Sequence, residues 1–347
     1  MKFAAISSVL PSEELTNERI VAQVIEESYG TLSSSDCGRL EQAFAYLFSR
    51  AGTKVRFVRA EGETARQLTV RAGQAALKAA GMSPDDIELL IYVGVGRGFL
   101  EPSTASLFQD QLGLRRATCF DVLDACASWM RAIHIAQAFN RCRLYRRIMI
   151  LNAEFNFHEF INFRFESLGD LRYNFAKFTV GEAATATILC DTEDDAEYYA
   201  SFKTWAEFHN LCLLPLPNFR EFSGPDLPAQ ASPFQFYSDS QELLEVGASK
   251  LISHFREDEQ INRYYPDIVF GHAASDRAGE KVALGCGRSP AIFYQTHSRF
   301  ANTVSASVPL AMEHAVKEGR LKNGDNIAIA VASAGLTTVW ARFRFLT

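Results

Sequence analysis

What the chain lacks narrows the choices first. Its 347 residues contain no CxxC pair, and the seven cysteines are an odd number scattered along the whole length. That removes paired-cysteine zinc spacing, argues against a disulfide framework, and fits a reducing cytosol. No stretch approaches the roughly 18 uninterrupted apolar residues of a membrane-spanning helix. The opening MKFAAISSVLPSEE has one Lys and a short apolar run, and it reaches Pro11 and acidic residues too soon for a secretory signal. A cytoplasmic location and no membrane partner are therefore expected. Gly and Pro stand at ordinary usage, which excludes collagen-like and low-complexity architectures. Cations are in the minority: 35 Lys and Arg face 41 Asp and Glu, for a net charge of −6. Nucleic acid is not expected as the main partner, because phosphate neutralisation needs clustered Lys and Arg. The one such cluster is Arg141, Arg143, Arg146 and Arg147.

What is present is apolar material, 48% of the chain, enough for one large core or two joined tightly. From Glu63 to Ala80 apolar and small residues recur at helical spacing, with Gly81 placed to cap the end. The turn Ser83-Pro84-Asp85-Asp86 follows, then Ile87 to Val95, a branched apolar run that reads as a buried strand. A second buried strand is expected over Ala117 to Val122, a helix from Ala127 to Phe139, and a strand from Ile148 to Ala153. The second half repeats the order. Glu242 to Phe255 is helical in pattern, Pro266-Asp267 leads into the strand Ile268 to Gly271, and Ala291 to Tyr294 reads as a strand. A helix from Ser305 to Glu318 and the turn Lys322-Asn323-Gly324-Asp325 precede the strand Ile327 to Ala332. Alternating helices and buried strands make an α/β layered protein, and the repeated order implies an internal duplication. The division expected is 1–190 and 191–347. Between the repeats lie an irregular, Phe-rich stretch from Glu154 to Lys177 and a Pro-rich loop from Pro215 to Pro233. Phe163 and Phe165 belong to the first. Phe at this density suits an apolar pocket wall, a dimer contact or ordinary core.

Three polar residues occupy strand-to-helix junctions. Cys126, in Asp124-Ala125-Cys126-Ala127-Ser128, stands where a helix begins, and a helix N-terminus favours the reactive thiolate. His272 follows the strand Ile268 to Phe270, and Asn302 precedes the helix from Ser305. Taken singly, such a Cys also suits packing, a His is usually structural, and an Asn commonly caps a turn or helix. Brought together, they form a nucleophile with two hydrogen-bond donors for a thioester oxygen.

Longer motifs carry a family resemblance. FANTVSASVPLAMEHAVKEGRLKNGDNIAIAVASAGLTTVWARFRF (Phe300 to Phe345), DVLDACASW, GEAATATIL from Gly181, and the pairs Leu10-Pro11 and Thr16-Asn17 resemble the ketoacyl-synthase III branch of the thiolase superfamily over nearly the full length. The resemblance implies a thiolase fold, a duplicated αβαβα arrangement of five layers. It implies a Cys126, His272 and Asn302 triad, with the backbone N–H groups of Cys126 and Ala334 as the oxyanion hole. It also implies a homodimer with the Phe-rich stretch near its two-fold axis, and acyl transfer through a Cys thioester followed by Claisen-type condensation. CoA or phosphopantetheine thioesters would be the substrates, an acyl carrier protein the partner, and no metal or permanently bound cofactor would be needed. Arg277, Arg143, Arg146 and Arg147 are candidate carrier-docking charges. Phe163 and Phe165 are candidates for the acyl pocket.

The sequence departs from the family at three places. His-x-Ala-Asn becomes His272-Ala273-Ala274-Ser275, the last glycine-rich turn becomes Ser333-Ala334-Gly335, and GDGA becomes Gly181-Glu182-Ala183-Ala184. These point to a specialised ketosynthase of natural-product assembly. Two other readings stand beside it: an acyltransferase of the same fold that makes an ester or amide, and an inactive partner subunit.

Overall fold

The structure is a computed structural model that describes residues 1–192, 197–224, 227–272 and 274–347. Two five-stranded mixed sheets organise it. The first is built from β1 (Lys2–Val9), β2 (Leu89–Val93), β3 (Thr118–Val122), β4 (Arg147–Glu154) and β5 (Ala183–Cys190) in the order β3-β2-β4-β5-β1. The second is built from β6 (Tyr199–Thr204), β7 (Ile268–Gly271), β8 (Phe293–Tyr294), β9 (Asn326–Ser333) and β10 (Thr337–Arg344) in the order β8-β7-β9-β10-β6. Strands β3, β2 and β4 run parallel, and β5 and β1 follow antiparallel. Strands β8, β7 and β9 likewise run parallel, with β10 and β6 antiparallel. The two sheets share one topology, strand for strand, so the duplication is a property of the fold.

Helices complete five layers. On the outer face of the first sheet, α3 (Ala65–Ala80) and α4 (Thr104–Gln111) bury Leu68, Ala72, Leu77 and Phe108 against Leu90, Tyr92, Met149 and Leu151. Between the sheets, α5 (Ser128–Arg141) and α8 (Ser307–Lys317) share one core with both of them: Trp129, Ile133, Val308 and Met312 meet Ile91, Ile150, Ile329 and Val339. On the outer face of the second sheet lie α6 (Ser240–Glu257) and α7 (Asp276–Gly285), with Leu251, Phe255 and Val282 packed on Val269 and Trp340. Strands β2 and β4 are therefore buried on both faces, which is why they read as continuous apolar runs and not as alternating ones. Two helices near the N-terminus, α1 (Asn17–Ser28) and α2 (Ser34–Ala51), pack with the Phe-rich stretch in a separate cluster.

Several expected elements change length for local reasons. The strand expected over Ile87 to Val95 shrinks to β2, because Gly94 turns away at φ 124°. The strand expected from Ala291 starts at Phe293, since Pro290 opens a short 3-10 turn, Pro290–Ile292. The two inner helices start later than expected, each behind a 3-10 turn: Ala125–Ala127 before α5 and Val304–Ala306 before α8. The stretch expected to be irregular holds short helices, Phe157–Phe160 and Leu171–Asn174, and its first residue closes β4. The Pro-rich loop carries the helix Phe219–Ser223, and residues 225–226 within it lie outside the described ones. Among the described residues, no helix is long and apolar enough to cross a membrane.

Candidate active site

The parallel strands of both sheets point their C-terminal ends at one cavity of about 640 Å³ between the halves. Cys126 arrives there from the end of β3. The chain leaves Val122, passes Asp124, and takes a positive φ of 43° at Ala125 before the 3-10 turn that holds the cysteine. Ser128 braces this bend: its hydroxyl donates to the Ala125 carbonyl and accepts from the Asp124 N–H, each at 2.7 Å. Asp124 is tied outward to Arg131 at 2.8 Å.

Ser333, one of the departures, ties the two halves together at this point. Its hydroxyl donates to the Asp124 carbonyl at 3.0 Å and accepts from the Ala127 N–H at 3.2 Å. The end of β9 is thereby clipped onto the cysteine turn. The next residues form the β9–β10 hairpin, where Gly335 sits at φ 124°, a conformation that favours glycine. This brings the Ala334 N–H to the Cys126 sulfur, which also receives the Cys126 N–H; both hydrogen bonds favour the thiolate. Burial acts the other way and dominates. It pushes the thiol well up, and Cys212 and Glu154 nearby add to the rise. Burial thus outweighs what the helix start and the two N–H groups contribute toward the thiolate, and Cys126 stands at the cavity as the thiol.

His272 continues β7 by one residue, its N–H donating to the Ala330 carbonyl at 3.2 Å. Burial, with His297 close by, lowers its pKa to about 4 against a hydrogen bond to the Val304 backbone, so the ring is neutral at neutral pH. Its Nδ1 is buried without a hydrogen-bond partner among the described residues. Ala273 lies outside the described residues. Ser275, where the family has Asn, accepts from the Ala278 N–H and caps α7.

Asn302 lies in a bent segment between two left-handed residues, Ala301 (φ 57°) and Val304 (φ 49°). Positive φ at a β-branched residue such as Val304 is rare and strained. The segment is pinned by the Asn302 N–H to the Thr179 carbonyl at 2.9 Å and by the Gly181 N–H to the Asn302 carbonyl at 3.0 Å. Gly181 is required there, because a Cβ would come within 2.5 Å of the Phe300 carbonyl oxygen. The Asn302 Oδ1 accepts from the Val304 N–H at 2.9 Å, which leaves the NH₂ end as the donor the side chain can offer. The third departure, Glu182, is buried and absorbed by Arg59, whose side chain reaches it at 3.2 Å.

Cys126, His272, Asn302 and Ala334 all line the cavity, with Arg277 exposed on its rim. The other charges and the two Phe lie elsewhere. Arg147 opens β4 at the end opposite Glu154, 3.6 Å from Glu88, and Arg146 stands 3.9 Å from Asp191. Arg143, exposed, lies in the turn just before them, so none of the three reaches the cavity. Phe163 and Phe165 are buried behind its wall, against Phe178. The aromatic lining comes instead from Tyr46, Phe160, Phe175, Phe236, Phe293 and Tyr294. Sequence reasoning also passed over Arg50 and Lys281, which join Arg277 among the lining residues. Lys281 was legible one helical turn beyond Arg277; Arg50, on α2, gave no signal. Among the described residues, no group of three or more His, Cys, Asp or Glu could hold a metal ion.

Comparison with known proteins agrees with this architecture. Residues 257–345 match the family described as 3-oxoacyl-[acyl-carrier-protein (ACP)] synthase III C terminal. The beta-ketoacyl-[acyl-carrier-protein] synthase III of Aliarcobacter butzleri is 27% identical over 86% of this chain and 89% of its own length. That of Synechocystis sp. is 28% identical over 90% and 92%. Among solved structures, Xanthomonas campestris OleA, in a variant with bound lauric acid and lauroyl-CoA, superposes with a TM-score of 0.84 at 22% identity, covering 99% of this chain and 98% of the other. The 3-oxoacyl-[acyl-carrier-protein] synthase III of Aquifex aeolicus superposes at 0.79 and 23% identity, covering 99% of each chain. The chain is thus similar in sequence to beta-ketoacyl-[acyl-carrier-protein] synthases III over most of its length, and it shares the fold of the solved structures.

Proposed function

We propose that this protein joins two acyl thioesters by Claisen condensation, in fatty-acid or polyketide-type biosynthesis, with Cys126 carrying the first acyl group. The observation that carries the reading is the lining of one cavity by a thiol, a neutral imidazole, a carboxamide donor and a backbone N–H from the opposite half. The relatives named as ketoacyl synthases support the reaction class.

In the first step the Cys126 sulfur attacks the acyl carbonyl of a CoA or carrier-protein thioester. The thiol proton passes to His272, whose ring is neutral and has an open nitrogen. The oxyanion is held by the N–H groups of Cys126 and Ala334. The carrier thiol leaves with the proton. A malonyl-type thioester then enters and loses CO₂, and His272 and Asn302 donate to the oxygen of the enolate. Its carbon attacks the acyl-Cys carbonyl, a C–C bond forms, the C–S bond breaks, and Cys126 is restored. Arg277 on the rim suits the phosphate of the carrier arm. Under this reading the chain works as a cytoplasmic homodimer of two thiolase-like halves, 1–190 and 191–347.

Intact-mass analysis after exposure to acyl-CoA tests the first step. One acyl adduct is expected, and none in Cys126→Ala. An adduct of equal extent in the variant overturns the assignment. A product screen with malonyl thioesters on both carriers then separates condensation from transfer to an alcohol or amine.

A further inference from the structure

The carboxyl of Glu154, the last residue of β4, is 1% exposed and lies in no catalytic role described above. Five donors from three separate segments converge on it. The N–H groups of Val95 and Gly96, in the loop after β2, reach it at 3.2 and 3.3 Å. The Asn156 amide reaches it at 2.8 Å. The fourth and fifth come from Ser305, whose N–H lies at 3.3 Å and whose hydroxyl also donates to the same oxygen. No salt bridge to Glu154 occurs among the described residues. A carboxyl buried without a cation is costly, and burial raises its pKa against these hydrogen bonds.

It holds the far end of the Asn302 turn. Ser305 follows Val304 directly, and its hydroxyl is fully assigned: it accepts from the Asn152 amide at 3.0 Å and donates to Glu154. The near end is fixed by Thr179 and Gly181. Between the two anchors stands Val304, in a left-handed conformation that relaxes if either anchor lets go. Relaxation at Val304 withdraws the N–H that orients the Asn302 amide.

We propose that Glu154 is a positioning residue: acting through Ser305, it aims the Asn302 amide at the enolate, and so raises the rate of condensation without being needed for acylation of Cys126. This inference rests on the condensing reading given above. Its decisive property is dependence on Asn302. A residue that acts only by orienting another has no effect once that other is gone.

The test uses the full chain, with Glu154→Gln, Ser305→Ala, Asn302→Ala and the double variant Glu154→Gln/Asn302→Ala. Gln keeps the shape but turns an NH₂ toward a site that only donors approach. Ser305→Ala removes one hydroxyl and is the milder probe should Glu154→Gln fold poorly. Single-turnover acylation by lauroyl-CoA is read by intact mass, and condensation by product formed from malonyl-CoA. Acylation is expected within about twofold of wild type in Ser305→Ala and no slower than wild type in Glu154→Gln, which also removes a negative charge near the Cys126 thiol; condensation is expected down roughly ten- to a hundredfold, and the double variant no slower than Asn302→Ala alone. Parallel loss of acylation and condensation in Ser305→Ala, or a double variant slower by the product of the single effects, overturns the positioning role. Wild-type protein that acylates Cys126 yet forms no condensed product overturns the parent reading instead, and with it this inference, before any variant is compared.

Discussion

Replacing Asn302 by Ala probes the step that separates condensation from simple transfer. The side chain has two ends with different duties. Oδ1 accepts from the Val304 N–H at 2.9 Å and belongs to the turn; the NH₂ is the part free to act on substrate. Losing the first leaves a backbone donor without its partner, which costs about 1 kcal/mol of stability. Losing the second removes one preorganised donor from an enclosed site. Such a loss typically costs roughly 10²–10³ in rate, or about 3–4 kcal/mol. The two magnitudes can be told apart, because the first appears as a modest fall in unfolding temperature and the second only in turnover. Under the proposed reading acylation draws on the N–H of Cys126, in its own turn, and of Ala334, in the β9–β10 hairpin, so it is expected within about threefold of wild type. The assay pairs single-turnover acyl loading, followed by mass, with CO₂ release or product appearance from a malonyl thioester. If Asn302→Ala leaves product formation untouched, the enolate role is wrong, and ester or amide transfer becomes the better account. If loading falls as far as condensation, the amide is instead serving the first oxyanion or the fold.

Two further outcomes follow from titration. His272 has its pKa lowered from 6.5 to about 4 by burial, so the unfolded chain binds the extra proton first. Its contribution to stability is therefore complete above pH 6.5 and lost as pH falls through about 4; His272→Gln should flatten urea-derived stability across that window, and an unchanged slope refutes the buried neutral ring. Lys177, 2% exposed beside Phe178, has its pKa lowered from 10.5 to about 8 by burial, against Asp170 and Glu27. The unfolded chain then holds more protons between those values, so wild-type stability should rise with pH from about 8 to 10.5. Lys177→Met should be more stable than wild type at pH 7 by about 1–2 kcal/mol, since the shift corresponds to ~3 kcal/mol and the lost contacts to Asn174 and Phe178 offset part of it. Lower stability of this variant at pH 7 in urea titration would show that the ammonium is well solvated.

The legible parts of the sequence were those in which local chemistry and tertiary environment agree. Strands β2, β4, β7 and β9 are sealed on both faces or nearly so, and their unbroken apolar runs stood out. Helix α3 showed both its spacing and its cap, with Gly81 left-handed at φ 64°. The antiparallel strands were harder. KFAAISSV of β1 and YASFKT of β6 are edge strands with only partial burial, so small and polar residues break the run. In β5, AATATILC is wholly buried, yet its alanines and threonines carry little strand signal. What the sequence could not convey was distance. Glu154 and Ser305 are 151 residues apart and Ser333 is 206 from Ala127, and no periodicity links either pair.

The departures from the family motifs make sense at that level. A serine in a turn usually built from glycine looks like lost freedom when read along the chain. In the fold, the turn keeps its glycine at 335, where φ demands it, and residue 333 supplies a hydroxyl that joins the β9 end to the Cys126 turn. Glu182 likewise reaches Arg59, which also pairs with Glu159 in the Phe-rich segment. Ser333 and Glu182 each add a bond between segments distant in sequence, while Ser275 caps α7 locally. A subunit retained only as a scaffold would have no need to hold a thiol, a neutral imidazole and an amide in one enclosed space with two strained residues beside the amide. The strain at Val304 is the clearest argument for activity, because it is maintained by anchors on both sides, at Asn302 and Ser305, and its visible consequence is the orientation of Asn302.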